Sequence, residues 1–206
     1  YEIASCLVGS EMCIRDSSDF VYIGIRSGIG SAYMYQNKLM DGVQGNAGYI
    51  GHTVLNAEGP MCVCGNCGCL DAYAGELALN RRYQELTNSE NESYYTMRDF
   101  MKLSRNGDAV SQKILKDAAF YLVITISNLI KILEPKMVLI ASCEPLKGTT
   151  YWNIMEETIK KYHINEMETK LELREAQLLE DDYALGACCY VFEYLFETPR
   201  LSLAIL

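Results

Sequence analysis

The chain predicts an α/β fold with a mixed sheet, and three observations carry that expectation. Two runs rich in aromatic and β-branched residues flank a glycine turn, which reads as a hairpin. A later stretch with a helical apolar period leads into a short, continuous apolar run, the signature of a strand covered on both faces. From there strands and helices alternate, which is the element order of α/β architecture and not of a helical bundle.

Taken in order, Asp19 to Ile25 (DFVYIGI) is the first strand. Gly28-Ile29-Gly30 is its turn, Ala32 to Gln36 the second strand, and Asn37-Lys38 the next turn. Gly42 to Gly51 is a glycine-rich loop, and Thr53 to Leu55 reads as a short third strand. Leu70 to Leu86 reads as one helix with Leu70, Tyr73, Leu77 and Leu79 on its apolar side, and Asn88 to Ser93 as a polar loop. After Met97 to Leu103 comes a long helix, Ala109 to Leu133, whose Val110, Ile114, Ala118, Leu122, Ile126, Leu129 and Leu133 hold a 3.6 period. Glu134-Pro135 stops it, because the residue before proline is pushed out of the helical region. Met137 to Ala141 is the buried strand, Tyr151 to Lys161 a helix, Lys170 to Arg174 an edge strand, and Tyr183 to Phe196 a final helix.

Residues 1–17 stand apart. Leu7 to Ser17 (LVGSEMCIRDS) back-translates without a break into a sequence that resembles the end of a transposase-type sequencing adapter, and Tyr1 to Ile3 fit the primer segment before it. They are read as a translated artefact and excluded from fold reasoning; the alternative is a native strand using Ile3, Leu7 and Val8. On the artefact reading the native part begins at Ser18 and its upstream portion is missing.

Composition narrows the function classes. Half of the residues are apolar, so the chain is globular. No apolar run reaches the ~20 residues of a membrane span; Ala118 to Leu133 comes nearest but holds Ser127, Asn128 and Lys131. A net charge of -9 argues against gripping nucleic acid through this chain's own surface. Of the nine cysteines, Cys6 and Cys13 fall in the presumed artefact, four cluster between residues 62 and 69, and Cys143, Cys188 and Cys189 are scattered in apolar contexts. That is cytoplasmic usage and not a disulfide framework.

The cluster carries the chemistry. Cys62-x-Cys64-Gly65-x-x-Gly68-Cys69 places three thiols on a segment whose glycines permit tight reversals, and His52 lies ten residues upstream. Three thiolates and an imidazole make the four ligands of a closed tetrahedral zinc site. The alternative is four reduced, unliganded cysteines, for which a glycine-rich loop offers little packing reason.

Gly28-Ile29-Gly30, then Gly42-x-x-Gly45-x-Ala47-Gly48-x-x-Gly51-His52, then the cysteine run through Leu70 resembles the ROK family (repressor, open reading frame, kinase). The resemblance is dense from Phe20 to Tyr73 and elsewhere rests on element order. It implies an actin-like, sugar-kinase (ribonuclease H-like) lobe with a mixed sheet, flanking helices and a zinc-bound loop, spanning residues 18–206 with the zinc knot at 52–71. By the resemblance His52, Cys62, Cys64 and Cys69 hold a structural Zn2+ that shapes a sugar site, and Cys67 is a bystander. Tyr49, His52 and Asp71 are its sugar or effector residues. Ser27, Gly28 and Gly30 are the remnant of a phosphate loop, whose small residues let backbone N–H groups approach an anion.

Several positions depart from the family pattern. Tyr49 replaces a sugar-binding glutamate, and Asp71 replaces a second one with a shorter reach. Arg26-Ser27 stands for glycine-threonine, and Ala141-Ser142 for the Gly-Gly beside the nucleotide. Losing a carboxylate acceptor removes a charge-assisted hydrogen bond to the substrate. No catalytic residue is assigned: the kinases' base is an Asn-Asp aspartate of the N-terminal lobe, and Asn106-Gly107-Asp108 reads as a surface turn. His163 reads as a solvated helix end and Cys188-Cys189 as core; Tyr94-Tyr95 line an interface or cap a loop, and Leu201 to Leu206 dock on the lobe or are an assembly error.

These readings converge on the effector-sensing, dimerising lobe of a cytoplasmic repressor of sugar metabolism. The expected partners are a sugar or sugar phosphate effector, a second copy as homodimer, and DNA only through a missing N-terminal domain, with no membrane. The rival is an ATP-dependent sugar kinase with ATP and Mg2+ as cofactors and zinc as a structural metal.

Overall fold

The computed structural model describes residues 19–36, 38–88, 93–142, 144–162 and 171–177. A five-stranded mixed sheet has the order β3-β2-β1-β4-β5. Its strands are β1 (Phe20–Ile25), β2 (Ile29–Tyr35), β3 (Lys38–Leu39), β4 (Met137–Ser142) and β5 (Glu172–Gln177). β1 runs antiparallel to β2 and parallel to β4, and β5 lies parallel to β4 at the edge. Among the described residues five α-helices accompany it: α1 (Asp71–Ala74), α2 (Glu76–Thr87), α3 (Met97–Arg105), α4 (Ala109–Leu133) and α5 (Thr150–Tyr162).

The period of two in the strands divides the core. Val21, Ile23 and Ile25 of β1 and Val138 and Ile140 of β4 face a large cluster with Ile114, Leu122 and Ile126 of α4 and Trp152 and Met155 of α5. Phe20 and Tyr22, with Met137, Leu139 and Ala141, form a second cluster on the other face. Every residue of β4 is buried, as its unbroken apolar run predicts.

Helix ends follow local chemistry. The α4 bounds coincide with the predicted ones. Asp108 caps the start by accepting the Ser111 N–H at 3.0 Å, a contact worth about 1 kcal/mol. Glu134, left-handed at φ 46°, ends it one residue before Pro135. A reciprocal capping box between Thr96 and Asp99 opens α3.

Four expectations need correction. The hairpin turn is tighter than Gly28–Gly30: Arg26 N–H donates to Gly28 O, and Ile29 and Gly30 already belong to β2. Thr53 to Leu55 is not a strand; Val54 makes only an isolated bridge to Cys69, because the following chain turns back into the cysteine loop. Leu70 to Leu86 is not one helix. Gly75 is extended (ψ 158°) between α1 and α2, and Glu76 N–H donates to Ser27 O in the hairpin turn instead of continuing the helical ladder. Leu77 is consequently 56% exposed. The edge strand starts at Glu172 and runs to Gln177. The readings placed on residues 1–17, Cys143, His163, Tyr183 to Phe196 with Cys188-Cys189, and Leu201 to Leu206 lie outside the described residues.

Candidate metal centre and adjoining cleft

The cysteine loop folds as a set of short reversals between β3 and α1. A 3-10 turn over Ile50–His52 brings the imidazole in, and Thr53 Oγ1 donates to Ile50 O at 2.7 Å to close it. Cys62 N–H donates to Asn66 O and Gly65 N–H to Cys62 O, a tight turn that projects Cys62 and Cys64 together. Gly68 closes the loop: its N–H donates to Pro60 O and its carbonyl accepts the Leu55 N–H, both at 2.8 Å. It sits at φ 69°, and a Cβ there would lie 1.6 Å from Asn56 O, so only glycine fits.

The donor atoms of His52, Cys62, Cys64 and Cys69 all lie within 4.8 Å of one another. Metal bonds of about 2.3 Å to sulfur and about 2.05 Å to nitrogen, spread tetrahedrally, place sulfurs about 3.8 Å apart and sulfur and nitrogen about 3.6 Å apart. Cys64 Sγ is 3.6 Å from Cys69 Sγ, and Cys62 Sγ is 3.6 Å from His52 Nδ1. The quartet fits a tetrahedral ion. Cys67, bridged across to Met61, is outside it. Electrostatics agree: burial and the neighbouring thiols push Cys69 up to about 12, whereas the Asn66 backbone N–H draws Cys64 down. Several thiolates crowded here need a cation to ionise together.

A cleft of about 540 Å³ adjoins the quartet, and it gathers Ser27, Gly28, His52 and Asp71. Asp71 is the first residue of α1, two places beyond Cys69. Its Oδ1 accepts the Ile29 N–H at 3.0 Å, which straps the loop to the hairpin. Burial raises its pKa, against the Ile29 bond and the His52 charge, which lower it. Gly51 makes this approach possible, since a Cβ there would meet Ile29 O and the Asp71 carboxyl at 2.5–2.6 Å.

Two predicted site residues fall elsewhere. Tyr49 is 59% exposed with its ring 6.4 Å from that of His52, beside the cleft and not among the residues lining it. Gly30 pairs with Gly24 within the hairpin ladder. Ala141 and Ser142 are buried at the end of β4, beside Gly24 and Ile25. Among the described residues the cleft also holds Leu77, Arg81 and Tyr94, which the sequence did not single out for it. No local signal marks them: Leu77 and Arg81 reach the cleft through the break at Gly75, and Tyr94 through the docking of the segment before α3 on α2.

Comparison with known proteins agrees with this picture. The model of the ROK family matches residues 6–193. The chain is similar to the xylose repressor of Caldicellulosiruptor bescii, 27% identical over 194 residues, covering 90% of this chain and 49% of that protein. It is similar to the xylose repressor of Bacillus subtilis, 27% identical over 183 residues, covering 89% and 46%. It thus spans about half the length of these curated relatives. Among solved structures the ROK hexokinase from Thermus thermophilus superposes with a TM-score of 0.78 at 26% identity, covering 94% of this chain and 64% of that one.

Proposed function

The chain belongs to the ROK family, and from that premise we propose that it is the effector-sensing and dimerising lobe of a transcriptional repressor of sugar metabolism. The observation that carries this reading is the Asp71 strap. In a kinase the hairpin turn would aim its amides at a phosphate. Here the Ile29 amide is given to a carboxylate, and a Gly28 Cβ would lie 3.1 Å from the same carboxylate's Oδ2. The family pattern already has a carboxylate after the last cysteine, so the difference lies in its hold on the turn's amide and not in its charge. The Cβ atoms of Ala141 and Ser142, where the kinase pattern has glycines, hinder close backbone approach in the same direction. The xylose repressors among the relatives support the same reading.

In this reading His52, Cys62, Cys64 and Cys69 hold a structural Zn2+, the borderline-soft ion that suits thiolates and imidazole. The metal holds the loop that presents His52 and Asp71 to a sugar or sugar phosphate, with Tyr49 at the margin. DNA is bound by a domain outside this chain, and the working form is a cytoplasmic homodimer. No helix among the described residues is long and apolar enough to cross a membrane.

The second reading, an ATP-dependent sugar kinase using ATP and Mg2+, is favoured by the likeness to a ROK hexokinase and by Ser27 and Gly28 lining the same cleft as Asp71. The test is the full-length protein assayed for ATP-dependent phosphorylation of a hexose panel and for sugar-responsive DNA binding. No turnover with sugar-responsive DNA binding is expected; robust turnover overturns the repressor in favour of the kinase.

A further inference from the structure

Tyr94 is 54% exposed, yet it is held at its tip and along the backbone that follows. It precedes α3 and lines the cleft together with His52, Asp71 and Leu77. Its hydroxyl donates to Glu76 Oε1 at 3.0 Å. Glu76 is itself buried at the start of α2, and its other oxygen accepts the Met97 N–H at 2.7 Å. Asn80, also buried, accepts the Tyr95 N–H at 2.8 Å and donates to Tyr95 O at 2.7 Å. The Tyr95 ring packs against Tyr83 and Phe100. Two buried polar side chains, both fully engaged, thus fix the segment on which Tyr94 stands. Networks of this kind specify a single geometry, because leaving any member unpaired is costly.

A tyrosine fixed in this way is prepared for contact. It loses little rotamer freedom when a ligand arrives, and it combines a flat apolar body with a polar tip. Burial and the Glu76 carboxylate both raise its pKa, so the hydroxyl stays a donor. A pyranose has the matching surface, with C–H bonds on a ring face and hydroxyls at its rim.

We infer that Tyr94 is a specificity-determining residue of the cleft: its ring, positioned through Glu76, is the platform for the apolar face of a sugar ring. This rests on the reading of the cleft as a sugar site. Asp71 would be the hydroxyl acceptor on the same cleft.

The test uses the full-length protein with D-xylose, D-glucose, N-acetyl-D-glucosamine and ATP as probes, followed by calorimetry and saturation-transfer NMR. The wild type is expected to bind at least one sugar, with transfer from aromatic protons to the sugar C–H face. Tyr94→Leu is expected to weaken that sugar about fivefold to tenfold and abolish the transfer, while lowering thermal stability no more than Tyr94→Phe, which strands the same Glu76 oxygen. Tyr94→Phe keeps the ring and is expected to keep the transfer while weakening binding less. Sugar binding by Tyr94→Leu at wild-type strength with transfer intact overturns the platform and leaves the sugar reading standing. So does a loss confined to ATP. A wild type that binds none of the sugars overturns the sugar reading itself, and the platform with it.

Discussion

Replacing Gly68 by alanine tests whether close approach of the backbone sets the metal affinity proposed for the cysteine loop. The added Cβ would sit 1.6 Å from Asn56 O and 2.6 Å from Asn56 C, so the two backbones must part by more than an ångström. The two 2.8 Å bonds that Gly68 makes, to Pro60 O and from Leu55 N–H, would be lost in that movement. At about 1 kcal/mol each they contribute about 2 kcal/mol. Holding a Cβ-bearing residue at φ 69° adds about 1–2 kcal/mol. The sum, about 3–4 kcal/mol, falls on the closed, metal-holding form of the loop and translates into a roughly 10²- to 10³-fold loss of zinc affinity. Gly65→Ala is the internal control. It lies in the same loop at φ 91°, but a Cβ there meets nothing within 4 Å, so only the backbone term applies, about tenfold. The assay is competition for zinc against a chromophoric chelator under reducing conditions. Equal zinc affinities for the two variants, within about threefold, would refute the argument that Gly68 is held by close approach.

The metal quartet predicts about one zinc per chain, unchanged in Cys67→Ala and lost in Cys64→Ala, by elemental analysis; chelation should lower the melting temperature. Asn80→Ala should cost about 2–3 kcal/mol in denaturant unfolding, since it strands the Tyr95 N–H and carbonyl in a packed setting; a cost below about 0.5 kcal/mol would dismiss the clamp. Asp99 has a lowered pKa, chiefly from the Thr96 hydroxyl and N–H, so its stabilising effect is full above its ordinary 3.8 and fades as pH falls through the lower folded value. The stability gap between wild type and Asp99→Asn should therefore be present at neutral pH and close in strong acid. Tyr49→Glu should tighten sugar binding by about 1–2 kcal/mol by restoring a charge-assisted acceptor, and calorimetry showing no change would place position 49 outside the ligand's reach.

The long helix, the buried strand and the metal quartet were readable because each is encoded locally. Residues 109–133 carry their own period and both of their caps, and residues 62–69 carry spacing that has few other uses. What escaped reading depends on contacts across the chain. Nothing around Gly75 announces a break, since the break exists to let Glu76 N–H reach Ser27 O, nearly fifty residues earlier. Thr53 to Leu55 has strand-like composition but a partner of one residue only. Glu76 and Asn80 look like ordinary surface positions of an amphipathic helix, and only the docking of the segment before α3 makes them buried. Tyr49 stands beside the cleft and not in its lining, because the course of the loop, which a spacing pattern does not report, carries it there.

On the proposed reading of the cleft, the strap between Asp71 and the hairpin makes one side chain both strut and receptor. An ionised carboxylate offers about four lone-pair directions, and the Ile29 amide occupies one of them. A ligand hydroxyl can therefore dock on the remainder without competing for the strut. Strap and ligand then share an anchor, and whatever reorients the carboxylate on binding is felt at once by the amide behind it. The hairpin thus has a direct line to the occupancy of the cleft, one hydrogen bond long.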